Sequence, residues 1–245
     1  MGDVIAVASG KGGVGKTTVS AALGIELSLR GKKVLVIDAD IGLRNLDLHL
    51  GLENDVVFDI FDIFEKKCVL EKAMVEHSNY KNLFFITAPW DVKNKTITMD
   101  VFEYIYEISK NKFDFIIVDC PAGIGDIFYA SVTHADKILI VATPDFSSIR
   151  DADKVAGILF GMQKRHVRLI INRIKPYLIK KRLVPDIDSI INDISVQLIG
   201  MIPDDDYFLV AGAHMRMKKK PKAYKSIKNI TGRLLGEDIK SYKFW

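Results

Sequence analysis

The segment Ser9-Gly10-Lys11-Gly12-Gly13-Val14-Gly15-Lys16-Thr17-Thr18 decides the fold, because it joins an apolar run, Val4–Ala8, to a helical pattern, Thr17–Arg30. It fits two phosphate-binding patterns at once. Gly10–Gly15 matches G-x-G-x-x-G, which is typical of dinucleotide sites, and Gly10–Thr17 matches G-x-x-x-x-G-K-[ST], the P-loop. Only the P-loop requires a lysine for the β- and γ-phosphates and a hydroxyl for Mg²⁺, so Lys16 and Thr17 favour the P-loop.

Apolar runs alternate with amphipathic stretches along the rest of the chain. The runs that predict strands are Val4–Ala8, Lys33–Ile37, Leu83–Thr87, Phe115–Val118, Lys137–Ala142, Val167–Ile171 and Val196–Met201. The stretches that predict helices are Thr17–Arg30, Val101–Lys110, Gly125–His134, Ile149–Gln163, Val184–Ile194 and Lys222–Leu235. This alternation predicts an α/β fold, a doubly wound, mostly parallel sheet with helices on both faces. We expect a single domain over residues 1–237 and a short basic and aromatic tail over residues 238–245.

Acidic residues end two of the predicted strands. Asp119 follows Phe115–Val118, and Asp38 and Asp40 follow Leu35–Ile37. Ligands of open α/β sheets bind at the carboxyl ends of strands, so these carboxylates are expected beside the P-loop. We predict that Thr17 binds Mg²⁺ directly, that Asp119 either supports the metal's ligands or acts through bound water, and that Asp40 acts through bound water. Asp38 and Asp40 face the γ-phosphate, where one of the two positions the attacking water. For Asp38 a solvated turn carboxylate remains an alternative, and a dinucleotide site would use it for a ribose hydroxyl.

Lys11 is not required by an ordinary P-loop. The segment Lys11–Thr18 resembles the deviant Walker A motif of the ParA/MinD ATPase family, which is related to the nitrogenase iron protein. Val36–Asp47 resembles switch I of that family, and Asp119–Ile124 resembles switch II. Several further segments resemble the MinD branch: Thr143–Asp145, Arg150–Asp153, Ile171–Arg173, Gly200–Asp205 and Arg233–Glu237.

The resemblance implies a P-loop ATPase with Mg²⁺ as cofactor and ATP as substrate. The implied catalytic residues are Lys11, Lys16 and Asp40, with Lys11 reaching the partner's phosphates in an ATP-bound homodimer. The implied nucleotide-binding residues are Gly10, Lys11, Gly12, Gly13, Val14, Gly15, Lys16, Thr17, Thr18, Asn172, Arg173, Pro203 and Asp204. The implied switch residues are Asp38, Asn45, Ala122 and Gly123, and the implied dimer or partner face contains Asp151 and Asp153.

The resemblance to the MinD branch also implies a dimerising ATPase switch that helps place the cell-division septum, with partners similar to MinC and MinE. Two alternatives lie within the same family. One is a ParA-like partitioning ATPase that binds DNA nonspecifically, since Lys164–Arg182 carries eight basic and no acidic residues. The other is a regulator of flagellar number. A nicotinamide-dependent oxidoreductase would leave Lys16, Thr17 and Asp119 without a role.

Charge and cysteine usage bear on partners and compartment. Residues 213–245 carry ten Lys and Arg against two acidic residues, although the whole chain has a net charge of only +4. Such a basic end suits an anionic membrane surface contacted through the tail, while nucleic acid is the less favoured partner; a solvated basic helix accounts for the charge equally well. Two cysteines and no secretory signal pattern indicate a cytoplasmic protein, which could be peripheral on the inner face of the membrane.

Overall fold

An eight-stranded sheet forms the centre of the computed structural model, which describes residues 1–41, 45–52, 55–89, 98–206 and 222–240. The strands are β1 (Asp3–Ser9), β2 (Val34–Asp38), β3 (Val75–Glu76), β4 (Leu83–Thr87), β5 (Phe115–Ala122), β6 (Lys137–Ala142), β7 (Val167–Ile174) and β8 (Leu198–Pro203). Their order is β3-β4-β2-β5-β1-β6-β7-β8. Every pairing is parallel except the one between β3 and β4.

Ten helices in the described ranges cover the two faces of this sheet. They are α1 (Lys16–Leu29), α2 (Leu46–Leu50), α3 (Ile60–Phe64), α4 (Leu70–Ala73), α5 (Met99–Lys110), α6 (Asp126–Thr133), α7 (Phe146–Gly161), α8 (Pro176–Lys180), α9 (Ile187–Ile194) and α10 (Lys222–Leu234). Apolar side chains of α1, α2 and α10 form the core on one face. Those of α3 to α7 and α9 form the core on the other face. The doubly wound fold predicted from the sequence is confirmed.

The elements that the sequence did not predict are all short. They are β3, α2, α3, α4 and α8, none of which exceeds five residues. A periodic pattern needs about two helical turns or several alternations before it stands out from chance. Tertiary contacts and caps decide such pieces instead, as where Asp59 caps α3 through the backbone N–H groups of Phe61 and Asp62.

The register of the sheet brings the two predicted strand-end acids side by side. Asp38 does end β2, but Asp119 lies within β5, which continues to Ala122, so the prediction that Asp119 ends its strand was wrong. Asp38 on β2 lies opposite Asp119 on β5, and Val7 on β1 lies opposite Asp119 from the other side. The P-loop leaves the end of β1 at the carboxyl edge of the sheet. Within the described ranges, every helix is too short or too polar to cross a lipid bilayer.

Helix α1 packs so closely on the sheet that one position excludes a side chain. A Cβ atom at Gly24 would lie 2.7 Å from Cγ2 of Val36 and 3.3 Å from Cδ1 of Leu83. Val36 is fully buried in the sheet and has no room to withdraw.

We expect Gly24→Ala to lower the free energy of unfolding by about 1 to 3 kcal/mol, because the overpacking outweighs the gain in helix propensity. Gly157→Ala is the matched control, since that helical glycine has open space around it. It should raise stability by about 0.5 to 1 kcal/mol. Guanidinium unfolding of both variants measures the difference, and equal effects of the two substitutions would contradict the close packing of α1.

Candidate nucleotide-binding site

Two features fix the conformation of the P-loop: the left-handed backbone of two glycines and a hydrogen bond from the buried side-chain amide of Asn172. Gly13 and Gly15 have φ angles of 78° and 89°, in the left-handed region that other residues enter at a cost. The Asn172 side chain on β7 donates from Nδ2 to the carbonyl oxygen of Val14 at 2.8 Å. A Cβ atom at Gly15 would lie only 2.4 Å from that Nδ2 atom, so glycine is required there for the amide to reach the loop.

The start of α1 faces the space enclosed by this loop. Gly15 is the N-cap of α1, and among the described residues no side chain caps it. The N–H groups of a first helical turn lack intrahelical partners and carry the positive end of the helix dipole, so they suit phosphate oxygens. The predicted phosphate-binding residues Gly10 to Thr18 therefore surround one helix N-terminus.

Lys16 is buried and paired with Asp119. Its Nζ atom lies 3.0 Å from Oδ1 of Asp119, and only 6% of the lysine side chain and 1% of the aspartate side chain are exposed. Burial acts to lower the pKa of Lys16, but the charge of Asp119 and the hydrogen bond to it outweigh burial, and the net pKa is raised. Lys16 is therefore a fixed cation at the place where phosphate charge is expected.

Ser20 completes this ion pair and was missed in the sequence analysis. Its hydroxyl group donates to the same Oδ1 atom of Asp119 at 2.9 Å. The signal was present, since Ser20 lies one helical turn after Lys16 and so on the same face of α1. Asp119 Oδ2 is buried and has no hydrogen-bond partner in the part of the chain that the structure describes.

The free oxygen of Asp119 bears on the predicted Mg²⁺ site. An unpaired buried carboxylate oxygen is costly, and a metal-bound water is a suitable partner for it. The described residues contain no group of three or more His, Cys, Asp and Glu side chains that could hold a metal ion by themselves. The unpaired Asp119 oxygen and the Thr17 hydroxyl group fit a Mg²⁺ ion that takes its other ligands from water and nucleotide phosphates.

Asp38 and Asp40 occupy different environments, a difference that the sequence around them does not show. Asp38 is buried and accepts hydrogen bonds from the backbone N–H groups of Asp40 at 2.9 Å and Leu46 at 3.1 Å. Burial and then the charge of Asp119 raise the pKa of Asp38 to about 7, against the effect of those two hydrogen bonds. Asp40 is half-buried; burial raises the pKa of its carboxyl group, Lys16 opposes the rise and Asp119 adds to it. Asp38 thus organises the switch segment, while Asp40 remains accessible.

The remaining switch residues lie around the same edge. Gly123 has a φ angle of 85° and donates its backbone N–H to the carbonyl oxygen of Ser9 at 3.0 Å, which ties switch II to the end of β1. The Ala122 side chain faces Gly12 of the P-loop. Asn45 is exposed and precedes α2, and residues 42–44 of the predicted switch I lie outside the described residues.

Lys11 contacts the start of α7 in its own chain. Its Nζ atom lies 2.6 Å from the Ser147 hydroxyl oxygen and 3.5 Å from Oδ1 of Asp145. About 45% of its side chain is exposed. The structure does not bring Lys11 to Asp119 or Lys16, and its predicted action on a partner subunit remains a prediction.

Asp151 and Asp153, the predicted partner-face residues, lie on the following turns of α7. Asp151 packs its backbone against Gly10, where a Cβ atom would come within 2.3 Å of the Asp151 carbonyl oxygen. Its carboxylate pairs with Lys154 at 3.3 Å, while Asp153 is exposed.

The last four of the predicted nucleotide-binding residues gather around one small pocket. Asn172, Arg173, Pro203 and Asp204 line it together with Asp205, Gly15 and Thr18. Asn172 is only 4% exposed, and its amide is already engaged with the carbonyl group of Val14 and with the backbone N–H of Arg173 at 2.9 Å. In this structure Asn172 fastens the P-loop to β7, a role that the sequence did not indicate.

A parallel sheet whose first strand leads through such a loop into α1, with a buried lysine facing an aspartate of β5, defines a P-loop nucleotide-binding protein. A family profile described as an AAA domain matches residues 2–171. The septum site-determining protein MinD of Bacillus subtilis is 39% identical over 98% of this chain and 91% of its own length. MinD of Synechocystis is 40% identical over the same shares of the two chains. The protein therefore belongs to the MinD family of P-loop ATPases.

Solved structures agree with this assignment. The MinC:MinD cell division protein complex of Aquifex aeolicus contains a chain with a TM-score of 0.90 and 41% identity, covering 98% of each chain. MinD of Pyrococcus horikoshii complexed with Mg-ADP has a TM-score of 0.84 and 25% identity, covering 98% of this chain and 100% of that one.

The raised pKa of Asp38 predicts a pH dependence of stability. Between about pH 4 and pH 7 the unfolded chain ionises this carboxyl group while the folded chain keeps its proton, so folded stability falls as the pH rises through that range. Relative to Asp38→Asn, the wild-type protein should lose roughly 2 to 3 kcal/mol of unfolding free energy between pH 5 and pH 7.5. Guanidinium unfolding without nucleotide or Mg²⁺ measures this.

Asp153→Asn, which removes an exposed carboxylate, is the matched control and should not show this slope relative to wild type. A wild-type protein that parallels Asp38→Asn over the whole pH range would show that Asp38 is ionised throughout.

Proposed function

We propose that this protein is a Mg²⁺-dependent ATPase that dimerises with ATP and helps place the cell-division septum. The observation that carries the proposal is the buried pair between Lys16 and Asp119 at the mouth of a P-loop, with one carboxylate oxygen left unpaired. The MinD relatives add the biological setting, since they are named septum site-determining proteins and share two fifths of their residues with this chain.

The residues of the site divide the work of phosphoryl transfer to water. The backbone N–H groups of the P-loop and the ammonium group of Lys16 bind the β- and γ-phosphates. The Thr17 hydroxyl and, through water, the Asp119 carboxylate hold Mg²⁺, which supplies charge neutralisation at those phosphates. When nucleotide binds, the Lys16 ammonium group leaves Asp119 and contacts the phosphates. The half-buried Asp40 carboxylate orients the attacking water. The pocket around Asn172 and Pro203 takes the adenine base.

Dimer formation gives Lys11 its function. Lys11 lies on the exposed edge of the loop, with flexible reach and a hydroxyl and a carboxylate of its own α7 as its partners. In an ATP-bound dimer it leaves Ser147 and Asp145 and neutralises phosphate charge in the second subunit, as an arginine finger does. Asp151 and Asp153 belong to the face that contacts the second subunit or a protein similar to MinC or MinE. The Aquifex aeolicus structure named a MinC:MinD complex supports a partner similar to MinC.

Light scattering coupled to size-exclusion chromatography tests this function. We expect Asp40→Ala protein to double its mass with Mg-ATP, because hydrolysis is blocked while the dimer contacts remain. Asp40→Ala combined with Lys11→Ala should stay monomeric. Because the Lys11 side chain is exposed, its removal should leave the protein folded, so a monomer would report the loss of the dimer contact.

ATP binding is measured in parallel with a fluorescent analogue. Monomers of Asp40→Ala in all conditions, with the nucleotide demonstrably bound, would exclude the ATP-dependent dimer and return Lys11 to an ordinary loop residue.

A second part of the proposal concerns the tail. Residues 241–245 carry Tyr242, Lys243, Phe244 and Trp245, and lie outside the described residues. Aromatic rings beside lysines suit the interface of an anionic membrane, and a dimer presents two copies, so we propose that the cytoplasmic protein associates peripherally with the membrane through this tail.

Truncation after Lys240 should reduce ATP-dependent sedimentation with vesicles that contain phosphatidylglycerol. This end point retains the bonds from the Arg233 guanidinium to the carbonyl groups of Ile239 and Lys240, so the body of the protein keeps its contacts. Equal sedimentation of the truncated and full chains, at equal dimer content, would remove the tail from the proposal.

A further inference from the structure

A basic turn follows β7, and the nucleotide site does not use it. We define the basic turn as residues 175–183, which comprise Lys175, α8 and the three residues after it. It carries Lys175, Lys180, Lys181 and Arg182 and contains no acidic residue. Lys175 pairs with Asp204 at 3.1 Å. The other three cations are exposed and have no ion-pair partner among the residues that the structure describes.

Two large apolar side chains stand out from the same turn. Tyr177 is 56% exposed and Leu183 is 62% exposed. Scattered apolar residues on a surface are ordinary, but here both accompany three unpaired cations within seven residues. An aromatic ring, an aliphatic side chain and adjacent cations together are the composition of interfacial membrane contacts.

The backbone fixes this arrangement at an energetic cost. The N–H of Leu183 donates to the carbonyl oxygen of Leu178, and the N–H of Arg182 donates to that of Ile179, both at 2.9 Å. These two bonds form a Schellman motif that ends α8, and its left-handed position normally holds glycine. Arg182 occupies it with a φ angle of 56°. Lys66 and Gln163 occupy the equivalent positions at the ends of α3 and α7, with φ angles of 59° and 60°.

The basic turn lies at the open edge of the sheet. Lys180 and Ile179 line a groove of about 620 Å³ together with Leu198 and Met201 of the edge strand β8. On the opposite face of β8, the Arg233 guanidinium binds the carbonyl groups of Ile199 and Lys240. The basic turn and the start of the C-terminal tail therefore reach one edge of the molecule from its two faces.

Among the described residues, acidic side chains approach the basic turn at two places. Asp204 and Asp206 lie near Lys175. Asp186 and Asp188 line the far side of the groove, on α9. Asp186 caps α9 by accepting a hydrogen bond from the N–H of Ser189 at 2.8 Å. Lys181, Arg182 and Leu183 are exposed, and no described acidic residue forms an ion pair with either cation.

We propose that the basic turn is a contact site for an anionic membrane surface, separate from the C-terminal tail. Each exposed cation near such a surface gains from the negative potential of the lipid headgroups, and Tyr177 and Leu183 gain by burial at the boundary between headgroups and acyl chains. A nucleic acid would satisfy the cations through its phosphates but would offer the Leu183 side chain no apolar environment. Lipid therefore fits the whole set of exposed side chains better.

One copy of the turn binds weakly, since a few cations and two apolar side chains supply modest affinity. Two copies on a dimer gain by avidity. This doubling rests on the ATP-dependent dimer proposed above, whereas the contact itself does not.

Vesicle sedimentation of the full chain tests the site. The vesicles contain phosphatidylglycerol and phosphatidylcholine, with pure phosphatidylcholine as the neutral reference. We expect Arg182→Gln to raise the lipid concentration for half-maximal binding about fivefold in the monomer and more in the dimer. Leu183→Ser should weaken binding to a comparable degree. Arg165→Gln removes one exposed charge at the other end of β7 and should change binding less than twofold.

Arg182→Gly separates a lipid contact from a structural role. Glycine relieves the left-handed strain, so thermal stability should stay equal or rise while vesicle binding falls as far as in Arg182→Gln. Light scattering under the same conditions reports the oligomeric state, so a failure to dimerise is distinguished from a failure of the contact.

Three results would overturn the proposal: no binding of the full chain to anionic vesicles, equal effects of Arg165→Gln and Arg182→Gln, or unchanged binding in Leu183→Ser. Fluorescence anisotropy with a double-stranded oligonucleotide provides the remaining comparison. Loss of DNA binding in Arg182→Gln with vesicle binding intact would assign the basic turn to nucleic acid and contradict the lipid contact.

Discussion

The buried ion pair between Lys16 and Asp119 is the contact on which the site depends. Two charges taken out of water are stable only where each has its partner in place, and removing one leaves the other uncompensated at a cost of about 3 to 5 kcal/mol. The pair spans the P-loop helix and the central strand β5, so it holds the phosphate-binding end of α1 against the sheet. The same two groups suit ligand binding, because an ammonium group attracts phosphate oxygens and a carboxylate attracts a metal ion. The pair therefore serves both the packing of α1 and the proposed binding of nucleotide and metal.

Two buried carboxyl groups, those of Asp38 and Asp119, lie side by side next to the P-loop. Asp38 and Asp119 are neighbours across the β2–β5 pairing, and burial of Asp38 together with the charge of Asp119 raises the pKa of Asp38 to about 7. Two backbone N–H groups from the switch segment compensate Asp38. A change of charge at the mouth of the loop therefore reaches the switch directly, through the backbone of Asp40 and Leu46.

The P-loop depends on the far side of the sheet as well. Asn172 arrives from β7, beyond β1 and β6, and its amide closes on the Val14 carbonyl because Gly15 leaves room for it. The same amide borders the pocket proposed for the base. A single side chain thus contacts both the phosphate loop and that pocket, and an apolar residue in its place could not donate to the Val14 carbonyl group.

The sequence by itself determined the class of fold, the P-loop and the acids beside it, because these depend on local patterns: apolar strands, glycine spacing and a lysine before a hydroxyl. It could not show that Asn172 binds the P-loop or that Lys11 contacts α7, since each of these contacts joins residues far apart in the chain. It also could not distinguish the buried Asp38 from the accessible Asp40, two residues apart in one motif. Only the tertiary structure decided those points, because burial and pairing are properties of the assembled sheet and its helices.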